Sequence, residues 1–416
     1  MLIVNTITKA MKFFENGQPD QAINLLDNYL PQATDDEKVM MAELYIQWGF
    51  LEEAIVILDN LISKLPDENE LKIMLADIYI ENNQDEKAML LLNEIPENDE
   101  TYIQALVQLA DLYQAQGLFE VAEQKLLTAK QIVPKEEVID FALGELYFSI
   151  GEYAKAINFY NHVKIELIAD ISLDERLAEA NASIGNYEKA LGYYEKIDIE
   201  NPDVLFKYGF TASQAGRNDI AIHSWEKLID EDPYYHSVFY ELANVYQEEK
   251  LTEKAYETAL KGLKNDEYNK KLYYLAGTLA HQLNKHDESD QWISEAIALD
   301  PDYKNAVIFK IELLKEEEDY NSIIKLIQDI QEIGSMDPLY DWELARAYNE
   351  MESYNNALNH YDRAYNHFNK DADFLKEYGY FLIEEGRTDQ GITILESYLE
   401  LQPDDFEIEE LIVRFK

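Results

Sequence analysis

Cysteine is absent from all 416 residues, which removes disulfides, thiolate metal ligands and cysteine nucleophiles together. Basic residues are scarce: 35 Lys and Arg stand against 83 Asp and Glu, for a formal net charge of −48. Nucleic acid and anionic lipid are repelled by such a field, so neither is expected as a partner. No apolar run approaches the ~18 residues a membrane helix needs, and the opening MLIVNTITKAMKFFENGQ lacks a basic leader ahead of an unbroken apolar stretch. Membrane insertion is therefore not expected, and a cytoplasmic location is. Catalytic signatures are missing too: there is no phosphate-binding glycine loop, no GxSxG, no HExxH and no calcium loop. The nearest histidine pairs, His281 with His286 and His360 with His367, lack the i, i+4 spacing of metal ligands on one helix. SWEK at Ser224 to Lys227 imitates a Ser-x-x-Lys motif, but its companion motifs are missing. The expectation is a non-enzymatic protein with no cofactor and no metal.

What the chain has in quantity is repetition. GEYAKAINFY (151–160) returns 34 residues later as GNYEKALGYY (185–194). With Ala156 as anchor, the same beat passes through Ala22, Ala54, Ala88, Ala122, Ala190, Ala221, Ala255, Ser289, Ile323, Ala357 and Gly391. All steps are 34 residues except a first of 32 and one of 31 between Ala190 and Ala221. Leu143, Gly144 and Tyr147 share one helical face, and Ala156, Tyr160 and Val163 share that of a second helix, with Gly151 as the turn. Each unit is thus a helix hairpin whose small anchor lets the helices approach, since added bulk there costs about 1–3 kcal/mol. Proline follows the anchor by twelve residues at Pro66, Pro134, Pro202, Pro233, Pro301 and Pro403 and ends the second helix. Thr34 with Glu37 and Ser172 with Glu175 are spaced as capping boxes.

The run Leu143-Gly144-x-x-Tyr147, followed by Ala156-x-x-x-Tyr160, resembles the tetratricopeptide repeat, and the resemblance covers almost the whole chain. It implies an all-α fold, a right-handed superhelical solenoid of about twelve repeats whose first helices line a concave groove. The short step divides the sequence into arrays at 1–201 and 202–403, six repeats each, expected to form two sub-arches. Residues 404–416 are expected to be a capping helix, with Phe406, Leu411 and Ile412 covering the last repeat. Ile323 is bulky for an anchor and follows the acidic run from Glu316 to Asp319, so the tenth repeat is expected to be looser.

The acids sort by repeat position. Nine of them, such as Glu52 and Glu188, stand two residues before the anchor, where a helix N-terminus favours negative charge. Eleven before the anchor stand Glu43, Asp77, Asp111, Glu145 and Glu179 in five consecutive repeats, where no dipole calls for them. One turn earlier an apolar row holds Val39, Ile73, Val107 and Phe141, then Phe206, Tyr240, Tyr274, Ile308 and Trp342. By the resemblance both rows face the groove. Packed helices lie about 8–10 Å apart, so the rungs are too far apart to chelate one ion. The reading is a protein or peptide partner, basic and partly apolar, bound by anchors and selected by charge. The basic clamp known in this family needs cationic groove residues where these repeats put acids. Asn244, His281 and Arg346 share the face of the second array, whose groove is more aromatic. The competing reading is a scaffold that pairs with itself or a helical protein along repeat edges, with Ile412 and Phe415 near its end available for pairing. Neither the partner nor the oligomeric state follows from the sequence.

Overall fold

The computed structural model describes residues 4–165, 167–168, 171–197 and 201–415. The chain forms two compact units, residues 1–199 and 200–416. In the first, six hairpins follow one another: α1 (Val4–Glu15) with α2 (Pro19–Tyr29), α3 (Asp35–Gln47) with α4 (Leu51–Lys64), and α5 (Asn69–Glu81) with α6 (Asp85–Asn93). Then come α7 (Tyr102–Ala115) with α8 (Phe119–Ile132), α9 (Glu137–Ser149) with α10 (Tyr153–Tyr160), and α11 (Leu173–Ser183) with α12 (Tyr187–Tyr194). The second unit pairs α13 (Pro202–Gln214) with α14 (Asn218–Glu231), α15 (Ser237–Glu248) with α16 (Thr252–Asn265), and α17 (Lys270–Gln282) with α18 (His286–Leu299). It continues with α19 (Lys304–Glu316) and α20 (Tyr320–Glu332), α21 (Pro338–Glu350) and α22 (Tyr354–Phe368), α23 (Ala372–Glu384) and α24 (Thr388–Leu401), and closes on α25 (Phe406–Phe415). The fold is all-α, with the twelve hairpins and terminal helix that the period predicts.

Every anchor is buried, including Ser289, whose hydroxyl donates to the Gly277 carbonyl at 2.8 Å so that no polar group is stranded. Twelve residues before each anchor the first helix carries a second small residue, Ala in seven repeats and Gly144, Gly209, Gly277 or Gly379 in four. A Cβ built at Gly144 would lie 2.3 Å from the Tyr160 ring, so the glycine makes room for the core aromatic of its own hairpin. Gly151, between the helices, has φ +79° and supplies the left-handed turn.

The tenth hairpin breaks this rule twice. Ile311 and Ile323 occupy both small positions and lie with Ile327 in one buried cluster. The backbones of α19 and α20 approach each other least closely of the twelve hairpins, as the bulk at Ile323 predicts. Ile311 is the second half of this wedge, on the helix that faces the anchor.

The caps follow the sequence in part. Thr34 forms a full capping box with Glu37, whereas Ser172 only accepts from the Glu175 amide. Just before α11, Leu167–Ile168 and Ile171–Ser172 form an unpredicted antiparallel ladder, β1 with β2. At the C-terminus Ile408 and Ile412 are buried, Leu411 is half-buried, and Phe406 is 70% exposed. Phe406 therefore does not cover the last repeat; Ile408, two residues on and so on the opposite face of the helix, takes that place. Ile412 is also unavailable for pairing, while Phe415 remains exposed. Asp405 holds this helix by accepting from the Ile408 amide at 3.3 Å and, at 2.7 Å each, from Lys376 and the Tyr398 hydroxyl.

Candidate groove sites

The apolar row sits lower than expected. Val39 and Val107 are half-buried, whereas Ile73 and Phe141 are almost fully covered, Phe141 packing on Tyr160 at 5.9 Å between ring centroids. In the second unit Phe206, Tyr240, Tyr274 and Ile308 are half-buried and Trp342 is buried. The row is partly core rather than a set of free-standing anchors, because the same turn of the first helix also packs on the second helix of its hairpin.

The carboxylates obey a register that spacing alone did not reveal. A residue 31 positions after a rung lies on the next first helix and reaches back to it. Gln108 donates to Asp77 at 2.5 Å, and Arg176 donates from Nε to both Glu145 oxygens at 2.9 and 3.2 Å. Arg176 also contacts Glu179 at 3.3 Å and covers the Phe148 ring at 5.1 Å, while the Tyr160 hydroxyl donates to Glu145 at 2.5 Å. Glu145 and Glu179 are thus partly neutralised by the protein itself, which corrects the expectation of five free acids. Behind Glu43 and Asp111 the reaching position holds Met74 and Ala142, which offer no donor. Glu43 instead opens into a recess of about 360 Å³ shared with Asp35, Asp36, Glu68 and Glu70 above Val39 and Met74.

Asp111 is open to water yet has protein around it on its other sides. Loss of solvent around it pushes its carboxyl up to about 6. Asp77 is raised for the same reason, with the Gln108 hydrogen bond opposing the shift. For Asp111 the folded pKa lies above the ~3.9 of an unfolded chain. The fold therefore holds the proton more tightly than the unfolded state, and stability falls as pH rises from about 4 to about 6. Asp111→Asn should gain about 1 kcal/mol over wild type at pH near 7.5, after allowance for screening at the open face, and nothing at pH near 3.5. Urea denaturation at the two pH values checks this.

In the second unit two recesses open on the same helix positions. One, of about 380 Å³, is lined by aromatic and neutral polar side chains, among them Tyr240, Asn244, Tyr274, Thr278 and Phe309, together with His281. The other, of about 340 Å³, lies beside the wedged tenth hairpin and contains an ionic chain. Glu343, only 5% exposed, meets Lys315 at 2.7 Å and Arg346 at 2.9 Å. Arg346 forks onto Glu377 31 residues later, at 2.6–3.0 Å, so the register recurs with its charges reversed. The Trp342 indole and the Tyr361 hydroxyl each donate to Glu377 at 2.9 Å. Trp342, placed on the apolar row, is therefore a structural partner of this chain, and Arg346 lies over its ring at 4.3 Å.

Among the described residues no group of three His, Cys, Asp or Glu side chains is placed to hold a metal ion, and no helix is long and apolar enough to cross a membrane.

The model of the YpiA-like, C-terminal tetratricopeptide repeats matches residues 338–405, and that of the YpiA-like tetratricopeptide repeats matches residues 114–166. General tetratricopeptide repeat models match residues 45–109 and 270–303. The TPR repeat-containing protein YpiA of Bacillus subtilis (strain 168) is 41% identical over 414 residues, 99% of this chain and 98% of that one. Two solved structures are similar in part. YrrB, described as a TPR protein with an unusual peptide-binding site, is 15% identical over 44% of this chain and 97% of its own, with a TM-score of 0.39. The APC/C hetero-tetramer Cut9-Hcn1 is 11% identical over 99% of this chain and 95% of its own, with a TM-score of 0.37. Matched almost end to end by a relative at this identity, the chain belongs to the YpiA-like tetratricopeptide repeat proteins.

Proposed function

We propose that this chain is a non-catalytic adaptor whose first unit receives basic, partly apolar segments of other proteins along its groove. One observation carries the reading: Glu43, Asp77 and Asp111 stand on three successive repeats above an apolar floor, and no basic side chain among the described residues pairs with them. A field of −48 steers cations toward the protein, and the open carboxylates give a bound cation its place. Val39 and Val107, half-buried beside these rungs, take the apolar side chains that flank it. Two acids drop out of the reading's core, Glu145 and Glu179, because Arg176 engages both.

The test uses a capped hexapeptide of alternating leucine and arginine, with its glutamate counterpart as control. Replacing Glu43, Asp77 and Asp111 together by lysine should lower affinity for the arginine peptide at least tenfold by calorimetry, with unchanged helicity by circular dichroism. Raising salt should weaken the wild-type complex, since exposed charges are screened. Equal binding by wild type and the triple variant would remove the proposal.

A further inference from the structure

A recess of about 900 Å³ opens where α16 passes into α17, and none of the groove-row residues lines it. Its walls are Leu260 and Leu263 of α16, Tyr268 of the connecting loop, Tyr273 of α17 and Trp292 of α18, with Asp266 and Glu267 contributed by the same loop. Hydrogen bonds fix these walls in place. The Trp292 indole donates to the Tyr256 hydroxyl at 3.0 Å, which donates in turn to Glu288. The Tyr268 amide donates to Asp266 at 3.2 Å, and the Asn265 side chain donates to the Pro233 carbonyl at 2.8 Å, so the loop is tied at two points.

Aromatic rings of the second unit commonly carry a cation of the chain itself. Lys271 lies over Tyr240, Lys254 over Tyr246, Lys285 over Tyr256, Lys270 over Tyr303 and Arg346 over Trp342, at 4.3–5.8 Å from the ring centroids. Among the described residues no cation of the chain lies over Tyr268, Tyr273 or Trp292. The field at these rings is nonetheless negative. The Tyr273 phenol is raised first by burial and then by the charge of Glu295, Glu267 and Asp266, so three carboxylates bear on it. Lys264 and His236 also border the recess, and the three acids outweigh Lys264.

We propose that this recess takes an arginine side chain from a protein partner, with the guanidinium laid on the aromatic walls and paired with the loop carboxylates. The site belongs to the second unit and goes beyond the acidic groove of the first; it neither requires that reading nor fails with it. Tyr273 and Trp292, with ring centroids 6.0 Å apart, offer a broad aromatic surface. A planar guanidinium stacks on such a surface and is less strongly hydrated than the ammonium of lysine. Leu260 and Leu263 suit the methylene stem and an apolar neighbour in the partner segment.

Each of the four indoles gives its own Nε1–H signal in a nitrogen–proton NMR spectrum, and Trp292→Phe identifies the one at the recess. Titrating the full chain with a capped Leu-Arg-Leu tripeptide should shift the Trp292 signal saturably, while that of the fully buried Trp225 stays in place. The citrulline analogue, equal in shape and uncharged, should bind at least tenfold more weakly, and the lysine analogue at least threefold. Tyr268→Ala and Glu267→Gln, both at exposed side chains, should each weaken binding at least threefold. The Trp292 shift should persist in the variant with Glu43→Lys, Asp77→Lys and Asp111→Lys, which separates this site from the groove. A motionless Trp292 signal, citrulline or lysine matching arginine, wild-type affinity in Y268A or E267Q, or loss of the shift in the triple variant each overturns the inference and leaves the adaptor reading as it was.

Discussion

Replacing Arg346 by methionine should destabilise the second unit by about 3–5 kcal/mol, because it strands two acids that the arginine holds. Glu343 is nearly buried and keeps only Lys315 once the guanidinium is gone, and Glu377 keeps only the hydroxyl of Tyr361 and the indole of Trp342. Neutral donors of that kind satisfy hydrogen bonds without compensating charge. The size of the loss is a property of the stranded acids and not of the ion pair's own strength, so R346M combined with Glu343→Gln and Glu377→Gln should recover most of it. Urea denaturation checks both variants, and Trp342 fluorescence reports the same site because Arg346 covers its ring. A loss under about 1 kcal/mol would mean that water reaches these carboxylates freely.

Trp225→Ala should cost a similar amount, about 3–5 kcal/mol, for a different reason. The indole is fully buried four residues after the Ala221 anchor, and its Nε1 donates to the Phe206 carbonyl at 3.2 Å. Removal leaves a cavity and takes a second donor from a carbonyl that already accepts within its own helix. The tryptophan also explains Gly209, where a Cβ would lie 2.5 Å from the indole nitrogen. Gly209→Ala alone should therefore cost about 1–3 kcal/mol by overpacking, yet little or nothing when introduced beside Trp225→Ala. Additive losses from the two changes, measured by thermal or urea unfolding, would show that the close approach is not what requires glycine.

The architecture was legible because it is written twelve times: a requirement repeated at every hairpin, such as a small anchor, survives the noise of any single repeat. Glu52 and its equivalents were legible for the same reason, and they do stand in the first turns of their helices. The candidate site was legible only as two rows of acidic and apolar residue types. Burial of Ile73, Phe141 and Trp342 was not, because a position one turn from the acids faces both the groove and its own hairpin, and periodicity cannot say which contact takes more of the side chain. Arg346 was legible on the groove face, but neither its pairing nor that of Arg176 was, because a period of 34 does not pair positions 31 apart, although the shorter step is what brings one first helix against the next. Ile311 escaped notice through attention to one side of a two-sided contact. Among the described residues the ladder of Leu167–Ile168 with Ile171–Ser172 has no counterpart in another repeat, and so left no periodic trace.

The paired isoleucines of α19 and α20 have a mechanical consequence. Hairpins stacked in sequence behave as springs in series, in which compliances add and the softest member takes up most of any imposed extension. In the tenth hairpin a load passes through the buried side chains of Ile311 and Ile323, which have rotamers to exchange, and not through the close backbone contact that small residues give elsewhere. Strain from a load on either end of the second unit would then gather beside the Lys315–Glu343–Arg346 chain, in the recess that Ile323 helps to line.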